Sequence, residues 1–274
     1  MEGDDETYIL LLLSDSNLPT GSFVASAGFE SYLKHGFPAG SNSRSNSLET
    51  YARSALPFVS DAHRAVHEFK RSIDATSEDT DASLSMEELL HSLTTLDQLY
   101  HDMTLNHPAR RASTAQGVAL LTLFTKGFSA PPSLKASLQP NKRAISINTV
   151  VDKFKTMIRR EETQGHLPIC WGLLTGTLNL SLERSQYLHL FLHARSLLSA
   201  SVRLNEVGPY GAQQLLLHAV RPLVEAETSR CRNKKTGILD EEFDELNAGP
   251  ATTWPLGEIL AGRHDLQHSR IFNS

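Results

Sequence analysis

Along this 274-residue chain, apolar residues recur three and four positions apart, and clean period-two alternation is missing. The pattern therefore predicts helices throughout. Leu10–Leu13 runs into Ser14-Asp15-Ser16-Asn17, then Leu18-Pro19-Thr20-Gly21, and an apolar pattern resumes at Phe23, ahead of Ala27-Gly28-Phe29-Glu30. This reads as a short helix, a fixed turn and the start of a second helix. Ser47 to Leu56 places Leu48, Tyr51, Ala52, Ala55 and Leu56 on one face. Pro57 is expected to kink or end that helix, and Phe58 to Phe69 to resume it. Residues 72–85 are rich in Ser, Thr and Asp and read as a loop. Ser85 and Glu88 would then form a capping box for a helix carrying Leu89, Leu90, Leu93, Leu96 and Leu99.

Asn106-His107-Pro108 breaks the chain, and Ala109 to Phe124 forms a helix whose small residues allow close approach of a neighbour. Pro131, Pro132 and Pro140 exclude helix interior between Ser129 and Asn141. Helices are expected over Ile145 to Arg160, from Ile169 to Leu180 after Leu167-Pro168, and from Ser181 to about Glu206. Gly208-Pro209 breaks the pattern before Tyr210 to Glu227, in which Pro222 should introduce a bend. A short helix near Leu256–Ala261 precedes the tail. The expectation is an all-α, single-domain helical bundle of roughly ten helices spanning 1–274. Mobile loops are expected at 72–85, 127–143 and 232–250, and an extended C-terminal tail at 266–274.

Composition narrows the function classes. Hydrophobic residues make up 40% and charged residues 21%, as in an ordinary globular protein that buries about 75% of its unfolded surface. A net charge of −5 argues against nucleic acid, whose phosphates require a clustered basic excess. The basic pairs Arg110-Arg111, Arg159-Arg160 and Lys234-Lys235 read as solvated charges. Ile169 to Leu182 is too short and too polar for a membrane span. Cys170 and Cys231 form no CxxC, which fits a reducing, cytoplasmic home, with Cys170 a small buried hydrophobe.

Twelve histidines invite a metal reading. His63 and His67, like His189 and His193, are four apart and share a helix face. Chance pairing is a serious rival at this His content, so His63 and His67 stand as weak metal candidates. An enzymatic alternative uses His67, His101, Asp102 and Asp152 in the manner of the HD-type metal-dependent phosphohydrolases, in which the metal activates water and clamps phosphate. His264-Asp265 shows that the dipeptide recurs by accident. Gly21 to Gly28 lacks the Lys-Ser/Thr of a phosphate loop.

Three segments, taken in order, resemble the urease accessory protein UreF family. The first is Leu13-Ser14-Asp15 through Leu18-Pro19, Gly21 and Phe23, closing on Gly28-Phe29-Glu30. The second is His166-Leu167-Pro168 with Gly172, continuing through Ser199 to Leu204, Gly208, Gln213 and Leu215-Leu216. The third is Ser269-Arg270-Ile271-Phe272. The insertions make the chain similar to a eukaryotic-type member.

The resemblance implies a non-enzymatic, all-helical scaffold required for nickel insertion into apo-urease. It would act as a homodimer, bridging a UreD/UreH-type accessory protein and a UreG-type GTPase and modulating GTP hydrolysis. No tightly bound cofactor is implied, only transient Ni²⁺. Partner contacts are expected at Phe23, Glu30, Arg203, Tyr210, Gln213, Ser269, Arg270 and Phe272, with Phe272 an anchor against another surface. Val24 and Ala25 stand where many members carry a polar or aromatic residue and His, so a metal role for that turn does not transfer.

Overall fold

A computed structural model describes residues 2–15, 18, 25–37, 41–75, 79–128, 142–239 and 249–274. The described residues are helical and contain no strand. The all-α expectation is met.

The helices, in chain order, are α1 (Glu2–Leu13), α2 (Phe29–Lys34), α3 (Ser41–Ala75), α4 (Asp79–Met103) and α5 (His107–Leu123). They continue as α6 (Lys142–Arg159), α7 (Leu167–Thr177), α8 (Leu182–Arg203), α9 (Pro209–Leu215), α10 (Arg221–Cys231) and α11 (Pro255–Gly262). Wider π-type turns follow α5 at Phe124–Phe128 and join α9 to α10 at Leu216–Val220. The second of these sits immediately ahead of Pro222, at the start of α10. The bend expected at this proline is a change of helical pitch, because the ring forbids the ordinary bond to the residue four back.

The apolar helix α7 is the hub. Every residue from Leu167 to Gly176 is buried, consistent with a helix that is hydrophobic all round. It packs on α3 and α5. Gly172 makes the α3 crossing possible: a Cβ there would lie 2.7 Å from the Val59 carbonyl oxygen and 2.8 Å from Ala62 Cβ. The main core joins Phe58, Val59 and Val66 of α3 to Leu93 and Leu96 of α4, Leu120 and Leu121 of α5, Phe154 of α6 and Trp171 of α7. A second cluster binds α3 to α8 and α10 through Leu48, Ala52, Leu56, Leu190, Ala194 and Val224. Cys170 and Cys231 are buried free thiols, held above the ordinary thiol range by burial.

Several expectations change. α3 is one helix of 35 residues with Pro57 inside it, not two helices. The Arg53 carbonyl, which Pro57 cannot serve, accepts a bond from the Ala251 amide at 3.3 Å. The 72–85 loop is also largely helix, since α3 runs to Ala75 and α4 begins at Asp79. Ser85 lies inside α4, where its hydroxyl meets that of Ser72 at 2.5 Å. It is not a cap. The expected loop at 127–143 narrows similarly, because α6 starts at Lys142; its stretch 129–141, like 240–248, lies outside the described residues.

Buried polar groups fix the connections. The Asp97 carboxylate accepts from Thr163 Oγ1 at 2.6 Å and from the amides of Gln164, Gly165 and His166 at 2.7, 2.8 and 2.7 Å. It thereby fastens the turn before α7 to α4. At the other end of α7, the buried Lys70 ammonium donates to the carbonyls of Gly176 (2.5 Å) and Thr177 (3.1 Å) and to Asn179 Oδ1 (2.6 Å). A cation there satisfies carbonyls that a helix end leaves open.

Candidate functional site

The third family-like segment does not project from the protein. Its chain folds back on α2, whose first residues follow a tight turn with positive φ at Ala27 and Gly28. That turn directs Glu30 inward, fully buried. Its carboxylate accepts from the amides of Ile271 at 2.8 Å and Phe272 at 3.1 Å. Lys34 Nζ lies 3.1 Å and His264 Nε2 3.3 Å from the same carboxylate. Burial raises the Glu30 pKa, but these bonds outweigh it and hold the group below its ordinary value. Lys34 also donates to the Ser269 carbonyl. Ser26 donates from its amide (2.8 Å) and hydroxyl (2.6 Å) to the Ser274 carbonyl oxygen.

The Phe272 ring enters a small core made by Phe29, Leu197 and Ala200. Above it sits the Arg203 guanidinium, 4.3 Å from the ring centroid, a cation–π geometry. Arg270 pairs with Asp265 at 2.8 Å, and Arg111 reaches Asp265 through two nitrogens at 2.9 Å. Those bonds, Arg111 first, hold the Asp265 carboxyl down to about 2. Glu30, Arg203, Ser269, Arg270 and Phe272 thus form one constellation at the junction of α2, α8 and the tail.

This corrects the roles of two expected partner contacts. Glu30 and Phe272 are internal, and the surface that Phe272 anchors belongs to its own chain. The physical reason is that Phe29 and Leu197 provide the apolar surface that the tail lacks locally, although both are distant in sequence. The tail at 266–274 is fastened rather than extended away. Tyr210, on α9, is 87% exposed, and Gln213 and Arg203 are exposed as well. Ser269 and Arg270 are exposed at the rim of the tail. Phe23 lies outside the described residues.

His63 is buried and its Nε2 lies 2.8 Å from the Leu180 carbonyl oxygen. Burial, outweighing that bond, takes its pKa to about 4. The rings of His63 and His67 are 4.7 Å apart. Among the described residues no three of His, Cys, Asp or Glu converge on a point that would hold a metal ion. The phosphohydrolase quartet is therefore corrected too: His101 faces His166 at 3.1 Å, Asp102 accepts from Gln98, and Asp152 is exposed on α6. His67, His101, Asp102 and Asp152 form no common centre.

His189 and His193 line a cavity of about 190 Å³ together with Tyr51, Tyr100, Trp254 and Glu258. Tyr51 stacks on His193, centroids 3.7 Å apart, and its hydroxyl lies 3.0 Å from His189 Nε2. Burial takes both imidazoles to about 3 and raises Glu258. The i,i+4 histidine spacing was visible in the sequence. Tyr51, Asp97 and Arg111 were missed as polar partners, because each meets its counterpart only through a distant element.

Comparison with known proteins supplies the family. The UreF family model matches residues 45–220. Urease accessory protein 6 of Cryptococcus neoformans is 39% identical, covering 98% of this chain and 97% of its own length. A UreF-like urease accessory protein of Schizosaccharomyces pombe is 30% identical over 100% and 99% of the two chains. Urease accessory protein F of Arabidopsis thaliana is 28% identical over 96% and 90%. With all-α architecture, family-model match and full-length similarity in agreement, the chain belongs to the UreF family of urease accessory proteins.

Proposed function

We propose that this protein is a urease maturation factor that works by docking rather than by catalysis. In this reading it bridges a UreD/UreH-type accessory protein and a UreG-type GTPase, modulates GTP hydrolysis, and assists delivery of Ni²⁺ into apo-urease. It would do so in the cytoplasm and as a homodimer. The observation that carries the reading is similarity over almost the whole chain to proteins named urease accessory proteins. Its physical support is the exposed face of α9 and the adjoining turn, where Tyr210, Gln213 and Leu217 stand in solvent. Exposed aromatic side chains of this kind often act as interface anchors. No helix among the described residues is long and apolar enough to cross a membrane.

The test is urease activation in cells lacking the chain, with and without added nickel, paired with co-purification of the two partner classes. Wild type restores active urease and retains both partners. Tyr210→Ala with Gln213→Ala keeps the native melting temperature but loses a partner. Restoration of urease by nickel alone, with no association detected, overturns the reading. Deleting 266–274 would be a poor probe, because Glu30 and the Phe272 core would lose their partners and the fold would suffer.

A further inference from the structure

Both tryptophans of the chain, Trp171 and Trp254, line the cavity of about 190 Å³ that also holds His189 and His193. Tyr32, Tyr51, Phe58 and Tyr100 add further rings to its wall. An apolar cavity of about 150 Å³ is enough to hold benzene, so this space admits one ring with a short polar substituent. Met103, Thr252 and Glu258 line it and are also exposed, which gives the cavity a mouth. Two polar atoms of lining residues are left over. Arg44 Nη1 and His193 Nε2 are buried and meet no hydrogen-bond partner among the described residues. A buried guanidinium nitrogen without an acceptor is costly, and an anion beside it removes that cost.

We propose that this cavity binds a small aromatic carboxylate, its ring among the aromatic walls and its carboxylate on the Arg44 guanidinium. Arg44 lies in the first turn of α3, and Ser43 and Ser47 beside it line the same cavity. That helix is 35 residues long and carries no acidic residue in its first turn, so the positive end of its dipole adds to the pull on an anion. A guanidinium also presents paired N–H donors that match the two oxygens of a carboxylate.

Glu258 is the acidic side chain among the described lining residues, and it would attract an ammonium instead. It already accepts from Asn106, and burial raises its pKa against that bond. Arg44 Nη1 has no such partner. The unmet charge at the cavity is therefore positive, which selects an acid over an amine. The site rests on the cavity and its leftover guanidinium nitrogen, and not on the maturation reading above.

The test titrates the full-length chain with benzoate and with 3-phenylpropanoate, followed by intrinsic tryptophan fluorescence, since both indoles border the cavity. The expected result is saturable binding of at least one acid with a dissociation constant below ~1 mM. Benzyl alcohol and phenethylamine, which keep the ring and lack the carboxylate, should bind at least ~tenfold more weakly. Arg44→Gln should weaken binding of the acid by at least ~tenfold at an unchanged melting temperature. Arg71→Gln, at an exposed position of the same helix, should bind as wild type does. The proposal is overturned by absence of saturable binding with both acids, or by an alcohol or amine that binds as tightly as the acid. It is equally overturned by an unchanged affinity in Arg44→Gln or by loss of binding in Arg71→Gln. The comparison of acid with alcohol and amine is made on the wild-type chain, so it decides the matter even if Arg44→Gln folds poorly.

Discussion

The amide nitrogen of Ala251 lies 3.3 Å from the carbonyl oxygen of Arg53, the acceptor that Pro57 leaves without a helical donor. A residue almost 200 positions away thus lets α3 pass through a proline unbroken. We predict measurable hydrogen-exchange protection at Ala251 although it lies in an irregular, exposed stretch. Pro57→Ala gives Arg53 a donor within its own helix and should speed exchange at Ala251. Equal rates at Ala251 and Thr252 in the wild type would refute the assignment.

Glu30 is the group on which the tail depends. Glu30→Gln keeps the shape but removes the charge and puts an NH2 group in place of one carboxylate oxygen, so one of the two amides of Ile271 and Phe272 loses its acceptor. It should cost about 3 kcal/mol, the range for breaking a buried charged pair. Phe272→Ala should cost about as much through its cavity. Both are measured by urea denaturation. Because the two residues share one network, the double variant should cost less than the sum. Strict additivity would show that the carboxylate and the ring act independently.

Acid should destabilise this protein before its carboxylates titrate. His189 and His193 have folded pKa values of about 3 against 6.5 for the free side chain, chiefly from burial. Depressed histidines favour the fold while neutral. Their contribution is complete above about pH 6.5 and is lost as pH falls towards 3, because the unfolded chain takes up the protons first. Each adds a slope of about 1.4 kcal/mol per pH unit within that window. Urea midpoints at pH 7.5, 6, 5 and 4.5 should trace the decline. His193→Phe, which keeps an aromatic ring on Tyr51, should flatten it. An unchanged slope in that variant would show that the buried His193 imidazole is not its source.

Lys70→Met tests the end of α7. It removes the cation from the carbonyls of Gly176 and Thr177 and from Asn179 while preserving most of the side-chain volume. The expected loss is about 3 kcal/mol, read as a lower melting temperature. A variant as stable as wild type would show that water serves those carbonyls equally well.

The fold was legible wherever one local signal dominated. Asn106 followed by Pro108 marked the start of α5, and the Asn106 side chain does accept from the Ala109 amide at 3.3 Å. Leu167-Pro168 opened the apolar helix at the right place. Pro57 misled because a single residue reports its own missing donor and not the distant amide that compensates. The polar stretch at 72–85 misled for a related reason. Ser and Asp compete with helix through their side chains, yet two flanking amphipathic helices extend into most of it.

The candidate site was legible as a set of residues but not as an arrangement. Family-like segments pointed to Glu30, Arg203, Ser269, Arg270 and Phe272, and the structure brings these together. Their local sequence suggested contact with another molecule, because nothing near residue 272 offers Phe an apolar surface. The opposite assignment of Glu30 and Phe272 follows from α2 and α8, which place Phe29 and Leu197 under the returning tail.

By itself the sequence determined the helical class, most helix starts and the family, since periodicity, caps and ordered motifs are properties of the chain. Only the tertiary structure decided that Pro57 is carried within one helix, that Phe272 is internal, and that His101 faces His166 rather than joining His67 and Asp152. Each of those outcomes joins residues far apart in sequence, and packing alone selects which of many possible partners a buried polar or apolar group meets.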